Sequence, residues 1–209
     1  MFYIVKVPSL IQSVFPGRVW KINTGEKVIY LTFDDGPHPG ATSFVLDQLT
    51  LFNAKATFFC LGKNVQAYPD LYERMLGEGH KPGNHTHDHL NGWKVNDREY
   101  LENIALAKKY IDSNLFRPPY GRTTQFQVRQ LGLPAYNLKT VMWTVLSGDF
   151  DKKITKEQCV ANVTLKASKG DIIVFHDSEK CFEKITYALP KVLAYFSDKG
   201  YRFETLDVI

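Results

Sequence analysis

The chain has 209 residues, 44% of them hydrophobic, and its 26 basic and 22 acidic residues leave a formal charge of +4. That length buries a substantial core in a domain of the usual ~100–200 residues and excludes disorder, while a nearly balanced charge without like-charge blocks gives nucleic-acid binding no support. Cys60, Cys159 and Cys181 are odd in number, well separated and free of any CxxC pair, so they read as buried reduced thiols rather than a disulfide framework or thiolate zinc site.

Residues 1–27 form a lead-in whose apolar stretches are broken by Lys6, Pro8, Gln12 and Pro16. Lacking a basic start, a continuous apolar core and a small-residue cleavage site, it reads as part of the fold, with cytoplasmic placement as the default. No later stretch approaches the ~20 apolar residues of a membrane span. From Val28 onward, short β-branched or aromatic runs alternate with amphipathic stretches. The expected order is strand Val28–Phe33, helix Ala41–Phe52, strand Ala56–Cys60, helix Pro69–Glu78, a short strand near Pro82 and helix Asp97–Asp112 capped by Asn96. Strand Phe116–Arg117, helix Thr124–Leu131, strand Thr140–Thr144, helix Thr155–Ala167, strand Asp171–His176, helix Phe182–Lys199 and strand Tyr201–Phe203 follow. No repeat, low-complexity tract or long linker divides the chain, so 1–209 is expected to be one domain. Strands alternating with helices predict a parallel sheet, open or closed as a barrel, with functional residues at the strands' carboxyl ends. No GxGxxG or Walker pattern follows a strand, which weighs against a nucleotide fold.

The first strand runs into LTFDDGPHP, with Asp34 and Asp35 adjacent and Gly36 and Pro37 supplying a turn. Two neighbouring acids at a strand end face the same way only where the chain turns, and their repulsion is relieved if a cation binds one and leaves the other as a base. A solvated acidic loop is the competing reading. In GNHTHDH, His85 and His89 are four apart, a spacing that on a helical turn puts both rings on one side and His87 on the other. With Asp35 they would make an Asp-His-His set for a catalytic metal; alternatively, they belong to a solvated polar turn. In FRPPYG, two prolines fix the backbone behind Arg117, which suits a guanidinium that orients a carboxylate but also suits an ordinary proline-rich turn. MWTVLSGDF brings Asp149 and Phe150 after another strand, and His176 closes DIIVFHD as a proton donor or a satisfied structural histidine. Trp93, Tyr120 and Phe150 lie beside these motifs and are candidates to line a groove.

Taken together and in this order, TFDDG, HTHDH, RPPYG, the segment ending at Asp149 and VFHD resemble the five motifs of the polysaccharide deacetylase family, the NodB-homology domain of carbohydrate esterase family four. The resemblance spans Val28 to the C-terminus. It implies an α/β fold, a deformed, incompletely closed (β/α) barrel of about seven βα units, and metal-dependent removal of acetyl groups from an N-acetylated saccharide such as peptidoglycan or a chitin-like oligomer. By the family pattern Asp34 is the general base, His176 the general acid, and Asp35, His85 and His89 the ligands of a divalent metal, zinc first, with cobalt, nickel or manganese also accepted. Arg117 would orient Asp34, Asp149 would orient His176, and the Tyr120 backbone N–H would help hold the oxyanion. Two departures are visible: Leu146 and Phe150 stand where the fourth block usually has an acid and a tryptophan, and Val174 stands for a leucine. Two readings compete: an amidase using the same site on a formamide, cyclic imide or other small amide, and a carbohydrate-binding barrel without catalysis.

Overall fold

The computed structural model describes residues 3–208, so Met1, Phe2 and Ile209 of the expected 1–209 domain lie outside it. The lead-in carries helix α1 (Ser9–Val14) and strand β1 (Arg18–Val19). Then come β2 (Val28–Asp34), α2 (Pro39–Leu51), β3 (Thr57–Cys60), α3 (Gly62–Ala67), α4 (Pro69–Gly77), β4 (Lys81–Asn84) and α5 (Asp97–Ala107). The second half holds β5 (Leu115–Phe116), α6 (Gln125–Leu131), β6 (Lys139–Val141), β7 (Val145–Leu146), α7 (Lys156–Thr164), β8 (Ile172–His176), α8 (Phe182–Asp198) and β9 (Arg202–Phe203). Every expected helix forms, several starting where a side chain caps the first turn: Asn96 for α5, and Thr124 and Thr155 with reciprocal capping boxes for α6 and α7. Sequence reading misses α1, β1, α3 and β7, short elements of two to six residues, and of these α1 and β1 bury no residue.

The ladder order is β1-β6-β5-β4-β3-β2-β8-β7, with β9 beside the start of β2, and every ladder is parallel. This is the deformed, incompletely closed barrel, and its closure differs from expectation in one respect. The run expected as a strand, Thr140–Thr144, keeps ladder pairing only as far as Val141: β6 pairs with β5, Met142–Thr144 carry the chain across, and β7 beyond it, not expected from the sequence, pairs with β8. One bent segment thus spans the gap at the two ends of the sheet. The lead-in fills the seam, since Met142 N donates to Val19 O, Val7 N to Thr144 O and Leu146 N to Val5 O, at 2.7, 2.9 and 2.9 Å. Lys6 pairs with the buried Asp171, which anchors the lead-in to the base of β8. Among the described residues no helix is long and apolar enough to cross a membrane.

Both faces of β2 are buried, but they meet different neighbours. Ile29, Leu31 and Phe33 pack with Val45, Leu46 and Leu49 of α2 and with Leu189 and Val192 of α8, while Val28 and Tyr30 join Phe59, Val141 and Ile172 in the interior of the sheet. The period of two therefore aims Thr32 and Asp34 inward and Phe33 outward. Phe33 stacks on Phe58 and Phe175 with centroids 5.0 and 6.1 Å apart. Phe33→Ala is expected to destabilise the protein by about 3–5 kcal/mol, read as a lowered denaturant midpoint with an unchanged slope.

Candidate active site

Arg117 follows β5 and is fully buried. Its Nη1 donates to Asp34 Oδ1 and Thr32 Oγ1, both at 2.7 Å, and its guanidinium carbon sits 4.0 Å from the centroid of the Phe59 ring. Nη2 donates to Met142 O at 3.0 Å and Nε to Val141 O at 3.4 Å, so the same side chain satisfies carbonyls at the bend between β6 and β7. The structure thus brings Asp34 and Arg117 together.

The chain reverses earlier than expected, at Asp35 itself, whose φ of 81° lets the second carboxylate reach the same mouth as the first. Asp35 Oδ1 lies 3.1 Å from His89 Nε2 and 3.6 Å from His85 Nε2. The two histidines do not converge on a helical turn: residues 85–90 form a loop in which Thr86 and His89 take φ of 68° and 61°. His87 points elsewhere, its ring 5.6 Å from Tyr110. His85 Nδ1 is 2.8 Å from Arg117 O, which only accepts, so Nδ1 carries the proton and Nε2 offers its lone pair toward Asp35. Burial keeps the His85 imidazole neutral, pushing its pKa down to about 4. Burial pushes the Asp35 carboxyl up, but His89 beside it and the positive His176 outweigh that and hold it well below the usual carboxylate range. Although His89 is close, Asp35 Oδ1 is shielded from solvent without a hydrogen-bond partner. An anionic oxygen left orphaned between two imidazoles is what a site for one divalent ion leaves behind, and the 3.1–3.6 Å spacings fit donors sharing an ion at bonds of about 2.0–2.2 Å.

His176 ends β8 directly opposite Asp34 in the β2–β8 register. Asp149 grips it twice, Oδ1 at 2.8 Å from the ring Nδ1 and Oδ2 accepting from the His176 backbone N–H at 2.7 Å. Burial alone would lower the His176 pKa; the charge and hydrogen bond of Asp149 outweigh it and raise it to about 10. Phe150 packs edge-on to the His176 ring at 5.3 Å, and Leu146, standing for the usual acid, is buried in β7. Tyr120 adopts φ 59°, its side chain 54% exposed and its hydroxyl 3.1 Å from His89 Nδ1, and its N–H donates to no group of the protein among the described residues.

Sequence reading missed Asp177. Alternation turns it away from His176 toward α2, where it accepts from Gly36 N at 3.1 Å and from Thr42 Oγ1 at 2.6 Å. A Cβ on Gly36 would fall 2.0 Å from Asp177 Oδ2, so only glycine fits. Its place beside His176 in VFHD was the available signal. Two other histidines lie outside the cluster: His38 caps α2 through Nδ1, and His80 accepts from Ala56 N beneath the β3–β4 ladder.

The family model described as polysaccharide deacetylase matches residues 21–136. A peptidoglycan-N-acetylglucosamine deacetylase of Bacillus cereus is 35% identical over 193 residues, covering 90% of each chain. A chitooligosaccharide deacetylase of Azorhizobium caulinodans is 33% identical over 200 residues, covering 91% of this chain and 88% of that protein. The crystal structure of a peptidoglycan N-acetylglucosamine deacetylase bound to 4-naphthalen-1-yl-N-oxidanyl-benzamide superposes with a TM-score of 0.84 at 29% identity, covering 97% of this chain and 96% of that one. With a family model over more than half of its length and relatives of this identity along nearly all of it, the chain belongs to the polysaccharide deacetylase family, the NodB-homology domain of carbohydrate esterase family four.

Proposed function

We propose that the chain is one catalytic domain that hydrolyses the acetamide of an N-acetylated saccharide, of peptidoglycan or chitin-like type, with a divalent metal, zinc first, held by Asp35, His85 and His89. The observation that carries this reading is the convergence of those three donors beside two separately anchored groups of opposite duty, the buried Asp34 and the half-buried His176. A divalent ion held there supplies a polarised carbonyl and an acidified water. Asp34 accepts the proton of the attacking water, and the Arg117 bond at 2.7 Å fixes which of its oxygens is free to do so. The Tyr120 N–H donates to the carbonyl oxygen as negative charge develops on it. An amine leaves poorly unless protonated, so His176 delivers a proton from Nε2 to the nitrogen, Asp149 having fixed the other ring nitrogen at 2.8 Å. Relatives named for peptidoglycan and chitooligosaccharide favour a sugar over a small amide.

Acetate release from N-acetylglucosamine oligomers is expected to vanish on chelation and return with added metal, and to fall about 10²–10⁴-fold in Asp34→Asn; full activity in metal-free protein would overturn the reading. The raised His176 pKa also sets a pH limb. Its protonated form is the active one, so kcat holds through neutral pH and falls as pH rises toward about 10. Asp149→Asn removes the largest of the influences that raise it, so the alkaline limb of a kcat–pH profile should move down from about 10.

A further inference from the structure

The two proposed imidazole ligands are held from behind by different means, both supplied by the segment that follows β5. A neutral imidazole that gives one nitrogen to a metal carries its proton on the other, and the partner of that outer nitrogen sets the orientation of the ring. For His85 the partner is the backbone carbonyl of Arg117, 2.8 Å from Nδ1. For His89, whose Nε2 faces Asp35 Oδ1 at 3.1 Å, the outer nitrogen is again Nδ1, and the group within reach of it is the Tyr120 hydroxyl, at 3.1 Å. Among the described residues His89 Nδ1 has no other partner. The carboxylate next to it in sequence, Asp88, accepts instead from Asn103 Nδ2 at 2.7 Å.

Both sides of this contact are positioned by the backbone. Tyr120 sits at φ 59° and ψ 8° between Pro119 and Gly121, in a turn closed by the Gly121 N–H on Pro118 O and the Arg122 N–H on Pro119 O, each at 3.0 Å. A Cβ on Gly121 would stand 2.8 Å from the Trp143 ring, so the turn is pressed against that indole. On the other side His89 takes φ 61°, and Leu90 N after it donates to Thr86 Oγ1 at 3.2 Å. The Tyr120 and His89 rings then meet edge to face, with centroids 4.6 Å apart at 70°. Tyr120 is 54% exposed and lines, with Trp93, the groove that opens at His89, so removal of its hydroxyl empties no packed space.

We propose that the Tyr120 side chain is a positioning residue for metal binding: its oxygen accepts the Nδ1–H of His89, which fixes the tautomer that presents Nε2 to a divalent ion beside Asp35 and His85. This rests on the metal reading above and adds a residue to it. The test measures zinc affinity, by competition with a chromogenic chelator, for the wild type and for Tyr120→Phe, which keeps the ring and the backbone N–H. The variant should bind zinc about tenfold more weakly, the lower end of the effect usual for the outer partner of a metal ligand, while the denaturant midpoint of the metal-free protein stays the same. Magnetic resonance of the zinc-loaded proteins, labelled on histidine nitrogen, should show Nδ1–H on both ligands of the wild type. In the variant the His89 proton should exchange with water faster, and the His85 proton, held by a backbone carbonyl, at its wild-type rate. Equal zinc affinity in the two proteins, a loss matched by a lowered metal-free midpoint, or unchanged exchange at His89 would overturn the role of Tyr120 while leaving the three-ligand site intact. Wild-type protein that binds no zinc would retire the metal site as well.

Discussion

A guanidinium sealed from water must find a counter-charge and an acceptor for every N–H edge within its reach, and Arg117 meets that demand by tying together the parts of the fold that carry chemistry. Its side chain joins Asp34 and Thr32 on β2 to the carbonyls of Val141 and Met142 at the bend. Its own carbonyl fixes the proton on His85 Nδ1. One residue thus governs both the proposed base and a proposed ligand. Leaving such a charge without its partner typically costs about 3–5 kcal/mol, so the base, the bend and the β5 terminus are expected to persist or fail together.

The proposed site also holds strain. Of the six non-glycine residues with positive φ among the described residues, four, Asp35, Thr86, His89 and Tyr120, lie in it. The loops that carry them are held by short amide side chains: Asn64 Nδ2 donates to Asp35 O at 2.7 Å, Asn84 Oδ1 accepts from Thr86 N at 2.8 Å, and Asn103 Oδ1 accepts from the N–H groups of His87 and Asp88 at 2.8 and 3.0 Å. Left-handed turns at such residues cost of order 1–3 kcal/mol each and persist only where the surroundings determine them. Here they aim three donors at one point before any ligand arrives.

Much of this was legible in the sequence, for physical reasons that differ by element. Strands β2 and β8 are read from buried apolar runs and α5 from its apolar period, and the acids and imidazoles sit where parallel strands end, so the motif order carried the cluster. The bend at Met142–Thr144 was not legible, because the run KTVMWTVL is apolar and β-branched throughout and nothing in it marks a change of partner. The His85–His89 spacing pointed to two rings that meet, but through a helical turn, whereas a loop with two positive φ values brings them together. Asp177 escaped because its role depends on a contact with Gly36, 141 residues away.

The aromatic wall beside His176 is assembled from both ends of the seam. Phe150 packs against the imidazole at 5.3 Å and is itself backed by Tyr3 at 5.1 Å, so a lead-in ring supplies bulk where the family pattern has a single indole. A piece of this chain that starts at residue 21, where the family match starts, therefore leaves the wall beside His176 without Tyr3. A boundary drawn at the first long strand would preserve every ladder of the sheet except β1–β6, yet would expose the back of Phe150 to solvent, loosening the ring that packs on His176.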